Sequence, residues 1–226
     1  MSKFNVLDLF CGAGGLSLGF QQAGFNIALG IDNDAKALET FEKNHDGAKS
    51  ICGDITAIGY EKDIKPLLKG RQIDVIIGGP PCQGFSLSGP RNFDDPRNKL
   101  YLSYIRLVSE IKPRAFVIEN VPGLVSLFGG VVKDNILKRF TDMGYTVQYK
   151  ILVSSDYGVP QHRNRYFMVG TANGIEFEFP EKKNVMYSVE DAIGDLPVLK
   201  NGQMEDVMSY RKPLAKAGEY ARLMRQ

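Results

Sequence analysis

The stretch NVLDLFCGAGGLSLGF, residues 5–20, decides how the rest of the chain is read. Asn5 to Phe10 form the short β-rich apolar run expected of a buried strand, and Leu16 to Ala23 carry helical periodicity. Between them stand Gly12, Gly14 and Gly15. A glycine-rich turn from strand to helix lets the backbone approach a ligand at the carboxyl edge of a sheet. The spacing departs from the dinucleotide pattern G-x-G-x-x-G, although Gly19 keeps a partial match, so several nucleoside ligands stay open at this point.

Working outward, the same alternation recurs. Strands are expected at Ile27–Ile31, Ser50–Cys52, Ile73–Ile77 and Ala115–Glu119, and helices near Asp34–Asn44, before Leu68, at Leu100–Ile111 and at Val132–Met143. Strand and helix in turn mean βαβ units: an α/β fold with a doubly wound, mostly parallel sheet. The last strands, Thr146–Val153 and Arg165–Gly170, are joined by a connection too short for a crossover helix, which predicts an antiparallel strand at one end of the sheet. Beyond about Phe179 the periodicity weakens and Pro180, Pro197 and Pro213 punctuate the chain. Residues 1–178 therefore read as one domain, and 179–226 as a linker with one or two short helices leading toward a further region.

The bulk composition narrows the classes. At 226 residues and 43% hydrophobic content the chain can bury a sizeable core, and its formal charge of +2 neither supports nor excludes a nucleic-acid partner. Cys11, Cys52 and Cys82 are an odd, widely spaced set with no C-x-x-C partner, so neither a disulfide framework nor a metal site is expected. A reducing, cytoplasmic setting follows, with no signal peptide and no membrane span. The opening Met1 is read as an intact N-terminus.

Several residues gather at the predicted carboxyl edge of the sheet. Asp32, ending strand two, has the offset of a ribose acceptor, and Asp54, after strand three, is placed to accept from an adenine amine. Asp34 precedes AKALETFEKN and reads as a helix N-cap. Strand four runs into GGPPCQGFS, residues 78–86, where Pro80 and Pro81 fix φ and stiffen the turn that presents Cys82. Cys11 and Cys52, in or beside core strands, read as inert small apolar residues. A nucleophilic cysteine needs positive charge and an acid nearby. Strand five ends in Glu119-Asn120-Val121, and QHRNRYF brings Arg163 and Arg165 to the start of a strand.

Together with DPRNKL (95–100) and YGVPQHRNRYF (157–167), these blocks resemble, in order and spacing, those of cytosine-C5 methyltransferases, over roughly residues 4–171. The resemblance implies a Rossmann-like S-adenosylmethionine methyltransferase fold acting on duplex DNA, most simply as the modification partner of a restriction endonuclease. It implies Phe10, Gly12, Gly14, Gly15 and Leu16 around the S-adenosylmethionine. Asp32 would meet the ribose, Asp54 and Ile55 the adenine, and Pro81 and Leu100 the methionine end. Asn33 stands where many relatives carry a larger, often aromatic residue, which implies weaker stacking on the adenine.

The same resemblance makes Cys82 the nucleophile at cytosine C6 and Glu119 the group that hydrogen-bonds N3 and the exocyclic amine. Arg165 would donate to O2, and Arg163 would hold the thiolate and phosphate side. Gln83, Ser86 and Arg97 fall in the segment 83–98, expected to close over a flipped nucleotide, while Asn120 supports the turn from behind. The family's recognition domain and later blocks do not appear by Gln226. The chain thus reads as a fragment, or as the larger half of a split enzyme whose second polypeptide supplies recognition. A tRNA cytosine methyltransferase lacks its Cys-Phe-Thr tripeptide here, a non-catalytic subunit would not need Cys82, Glu119 and Arg165 together, and a nicotinamide dehydrogenase leaves PPCQ unexplained.

Overall fold

In the computed structural model, residues 4–81, 99–205 and 207–225 are described. Seven strands form one sheet: β1 (Asn5–Leu9), β2 (Asn26–Asp32), β3 (Lys49–Cys52), β4 (Val75–Gly78), β5 (Ala115–Asn120), β6 (Thr146–Val153) and β7 (Asn164–Thr171). Their order is β3-β2-β1-β4-β5-β7-β6. β1 pairs parallel with β2 and β4, β2 with β3, and β4 with β5. β7 pairs antiparallel with β5, from Ala115↔Thr171 to Asn120↔Tyr166. The expected doubly wound sheet with an antiparallel strand toward one end is therefore present, with β7 slotted between β5 and β6.

The period-two alternation along the central strands sends side chains to two cores. Val6, Ile27, Val75 and Ile77 point to one face, where Leu16 and Phe20 of α1 (Gly15–Gln22) and Leu38 and Phe41 of α2 (Ala35–Asn44) cover them. Leu7, Leu9, Leu29, Ile31 and Ile76 point to the other face. There they meet Leu68 of α3 (Lys65–Leu68), Tyr104 and Val108 of α4 (Lys99–Ile111), and Ile136 and Phe140 of α5 (Val131–Asp142). Strands buried on both faces read as continuous apolar runs, which is why β1 and β4 were legible. Asp34 does cap α2, its carboxylate accepting from the Lys36 and Ala37 amides at 2.9 and 3.2 Å.

The chain divides into two compact units, residues 1–151 with 166–179, and residues 152–165 with 180–226. The second unit holds the short helices α6 (Val189–Ile193) and α7 (Glu219–Met224). Ser188 and Asp191 form a capping box at the start of α6. Asp195 pairs with Arg225, whose guanidinium lies over the Tyr210 ring at 3.4 Å from its centroid.

Candidate active site

The strand order reverses at β1, which has β2 on one side and β4 on the other, and open α/β sheets take ligands at the carboxyl ends of such strands. A cleft of about 260 Å³ opens there. Phe10 follows β1, Ile31, Asp32 and Asn33 come from the end of β2, Gly53, Asp54 and Ile55 follow β3, Gly79 and Pro81 follow β4, and Leu100 lies on α4. Two carboxylates and several apolar side chains face one space. That combination suits a nucleoside, with hydroxyl and amine donors on a flat apolar ring.

Of the residues expected around the cofactor, Phe10, Asp32, Asn33, Asp54, Ile55, Pro81 and Leu100 line the cleft, whereas Gly12, Gly14, Gly15 and Leu16 do not. The glycines shape the turn behind it. Gly12, at φ +52°, donates its amide to Asp32 Oδ2 at 2.7 Å, so the carboxylate that faces the cleft also ties the turn to β2. Asp32 Oδ1 accepts the Asp34 amide at 3.0 Å. Gly14, at φ +90°, is the N-cap of α1, Gly15 is its first residue, and Leu16 packs into the core against α2. A Cβ at Gly14 would run into the His45 ring. Phe10 itself sits at φ +62°, a region bulky residues seldom enter and one that costs of order 1–3 kcal/mol.

Beneath the turn lies a polar network that the sequence reading missed. Asp8 of β1 is 1% exposed and accepts a 2.7 Å hydrogen bond from the buried Ser17 hydroxyl of α1. Burial, opposed by that bond and reinforced by the Asp32 charge, pushes the Asp8 carboxyl up to about 7. His45, also 1% exposed, sets Nε2 3.2 Å from the Gly14 carbonyl and Nδ1 2.5 Å from Gln21 Oε1. The Gly14 carbonyl and Gln21 Oε1 are both acceptors, so each ring nitrogen faces a carbonyl oxygen. A signal existed for Asp8, a charged residue inside a central apolar strand.

The turn after β4 explains its own glycines. Gly78 pairs with Leu9 and Ile118, and a Cβ there would collide with the Leu9 carbonyl oxygen. A Cβ at Gly79 would stand 3.1 Å from Glu119 Oε2, so this glycine leaves room for the carboxylate at the cleft. Asn120, 5% exposed, donates to the Pro80 carbonyl at 2.8 Å and accepts the Val121 amide at 2.8 Å. These two bonds tie its side chain to the backbone of the proline turn and of Val121. Cys82, Gln83, Ser86 and Arg97 lie outside the described residues.

Arg163 and Arg165 belong to the second unit. The Arg163 carbonyl accepts from the Ser154 amide and hydroxyl at 2.9 and 3.1 Å, and Arg165 Nη1 donates to the Asn164 carbonyl at 2.8 Å. Cys11 is buried, and burial with the Asp8 and Asp32 charges raises its thiol far above the ordinary range, in keeping with an inert role. Cys52 corrects its expectation. It is exposed, with Sγ 3.9 Å from the Asn33 carbonyl, because β3 is an edge strand and Cys52 is its last residue.

The family model for C-5 cytosine-specific DNA methylases matches residues 4–221. The chain belongs to this family. Among relatives in this methylase family, the Type II methyltransferase M.AgeI of Thalassovita gelatinovora is 39% identical over 247 residues, covering 97% of this chain and 57% of that protein. M.AquIA of Picosynechococcus is 39% identical over 190 residues, covering 78% of this chain and 75% of its own length. A solved structure of an E. coli prophage protein, described as a DNA modification methyltransferase, is 35% identical with a TM-score of 0.75. It covers 87% of this chain and 56% of the other. The methylase chain thus spans little more than half the length of M.AgeI.

Proposed function

We propose that this chain supplies the cofactor-binding and catalytic part of a DNA cytosine-5 methyltransferase of the restriction-modification type. Residues 1–178 would form the catalytic domain, and 179–226 the linker and start of the recognition region. The observation that carries the reading is the cleft at the β1–β4 edge, where Asp32, Asp54 and Phe10 stand beside Gly79 and the Glu119 carboxylate. The donor set fits S-adenosylmethionine, with Asp32 toward the ribose hydroxyls, Asp54 and Ile55 toward the adenine, and Pro81 and Leu100 toward the methionine end. When bound, that group supplies an electrophilic methyl on a sulfonium sulfur.

The remaining work falls to the protein. A cytosine stacked in duplex DNA is out of reach, so the base is flipped out at a cost of a few kcal/mol. The Cys82 thiolate adds to C6 and pushes the ring electrons toward C5, which makes C5 nucleophilic. Glu119 hydrogen-bonds N3 and the exocyclic amine, offsetting the charge that builds on the ring. Arg165 donates to O2, and Arg163 holds the thiolate and phosphate side. Once C5 carries the transferred methyl group, loss of the C5 proton to a base expels the Cys82 thiolate and restores the ring.

Trapping with 5-fluorocytosine duplexes tests this chemistry, because fluorine at C5 blocks the last elimination. The assay uses the protein with the polypeptide that completes its recognition region. A protein–DNA adduct that forms with S-adenosylmethionine and is lost in Cys82→Ser is the expected result. An adduct that persists in Cys82→Ser, or none at all in the complete assembly, overturns the mechanism.

A further inference from the structure

The floor of the cleft beside Asp54 belongs to an irregular segment, and irregular buried backbone must find hydrogen-bond partners outside the sheet ladder. Residues 53–58 meet part of this need internally. Asp54 accepts from the Thr56 amide through its side chain and from the Ala57 amide through its carbonyl, both at 2.9 Å, and the Gly53 amide reaches Asp32 O at 2.9 Å. Ile55 and Ile58 are buried at 4% and 7% exposure, and their carbonyls are met from another element. Arg106 of α4 points Nη2 at both, 3.1 Å from Ile55 O and 2.7 Å from Ile58 O, while Nη1 pairs with Glu110 at 3.0 Å.

The same helix contributes directly to the cleft through Leu100, six residues or about 9 Å of helical rise earlier. Two parts of the cleft lining, Ile55 and Leu100, are thus fixed to one rigid element. We infer that Arg106 is a positioning residue that sets the Asp54–Ile55 side of the cofactor cleft by clamping its backbone to α4. The inference rests on the cofactor reading of the cleft. A charged donor to two carbonyls is stronger than a neutral one, and the flat guanidinium offers both N–H groups of one nitrogen at a fixed angle, which an ammonium does not.

The test compares Arg106→Met, Arg106→Lys and Glu110→Gln in the full chain. Amide hydrogen exchange over residues 53–58 is followed without ligand, and binding of S-adenosylhomocysteine is measured by calorimetry. Arg106→Met should speed exchange in this segment and weaken binding, each by about tenfold, with Arg106→Lys recovering part of both. Glu110→Gln, which keeps the carbonyl contacts, should change neither. Exchange unchanged in Arg106→Met overturns the clamp. Faster exchange with unaltered affinity overturns its role at the cofactor. If the wild type binds no S-adenosylhomocysteine, the cofactor reading fails instead, and exchange alone decides whether the clamp exists. Should Arg106→Met not fold, Arg106→Lys carries the same comparison at smaller amplitude.

Discussion

Asp8, beneath the glycine-rich turn, is a carboxyl whose titration departs from its solution behaviour. Its carboxyl is pushed from 3.8 up to about 7 by burial, so the folded protein holds it protonated over a range where the unfolded chain ionises it. Stability from this group is full below about pH 4 and is lost as pH rises toward 7, amounting to roughly 4 kcal/mol at most. Asp8→Asn keeps an acceptor for the Ser17 hydroxyl and removes the titration. Urea denaturation should show the variant gaining on the wild type between pH 4 and 7, then holding a constant lead; parallel curves would refute the buried neutral acid. Asn120 poses a different question, since its contacts hold the turn rather than a ligand. Asn120→Ala leaves the Pro80 carbonyl and the Val121 amide without their partner, at a cost of about 1–3 kcal/mol. Methylation by the assembled enzyme should fall further than folding does if the proposed nucleophile Cys82, which follows Pro81 in the sequence, depends on this turn; thermal melting and initial rates measured side by side decide it.

At the scale of elements, the glycine-rich turn shows how far the sequence could be followed. Strand, turn and helix between Asn5 and Gln22 were legible because period-two burial and glycine clustering are local properties. Which glycine answers to which constraint was not. Gly12 has open space where a Cβ would go, while Gly14 faces His45 and Phe41, residues about thirty positions away. Contacts of that range leave no periodic trace, and the same holds for Arg106 over Ile55 and for Glu119 beside Gly79. Cys52 was misread for a related reason: a short strand looks alike at the edge and in the centre of a sheet until the order is known. The two glycines can be separated by mutation. Gly12→Ala should cost about 1–2 kcal/mol for its left-handed backbone alone. Gly14→Ala adds a clash with His45 and should cost clearly more, and Gly14→Ala in a His45→Ala background should cost less than in the wild type. A denaturant series over the four proteins reads the coupling, and strict additivity would show that His45 does not confine the turn.

For the whole molecule, the decisive fact is length relative to kin. M.AgeI matches along 97% of this chain, yet the match fills only 57% of M.AgeI, so the portion of that relative without a counterpart here is large. The catalytic constellation proposed above, from Phe10 to Arg165, falls inside these 226 residues. Sequence specificity in a DNA methyltransferase requires a surface that reads bases in the grooves of DNA. The second unit also exposes Met186, Val198, Leu199, Met204 and Val207, with Met204 and Val207 about nine-tenths accessible. Apolar side chains shown this densely to water are the composition of an interaction surface. The expected outcome is therefore a division of labour. The 226-residue chain alone should bind S-adenosylhomocysteine, by calorimetry, yet transfer little or no tritiated methyl to duplex DNA. Adding the polypeptide that corresponds to the unmatched part of M.AgeI should raise transfer by orders of magnitude, confine it to one short site and reduce fluorescence of a dye bound to the exposed apolar surface. Robust site-specific methylation by the 226 residues alone would show that recognition is already contained in them, and the search for base-reading residues would then turn to 83–98 and 180–226.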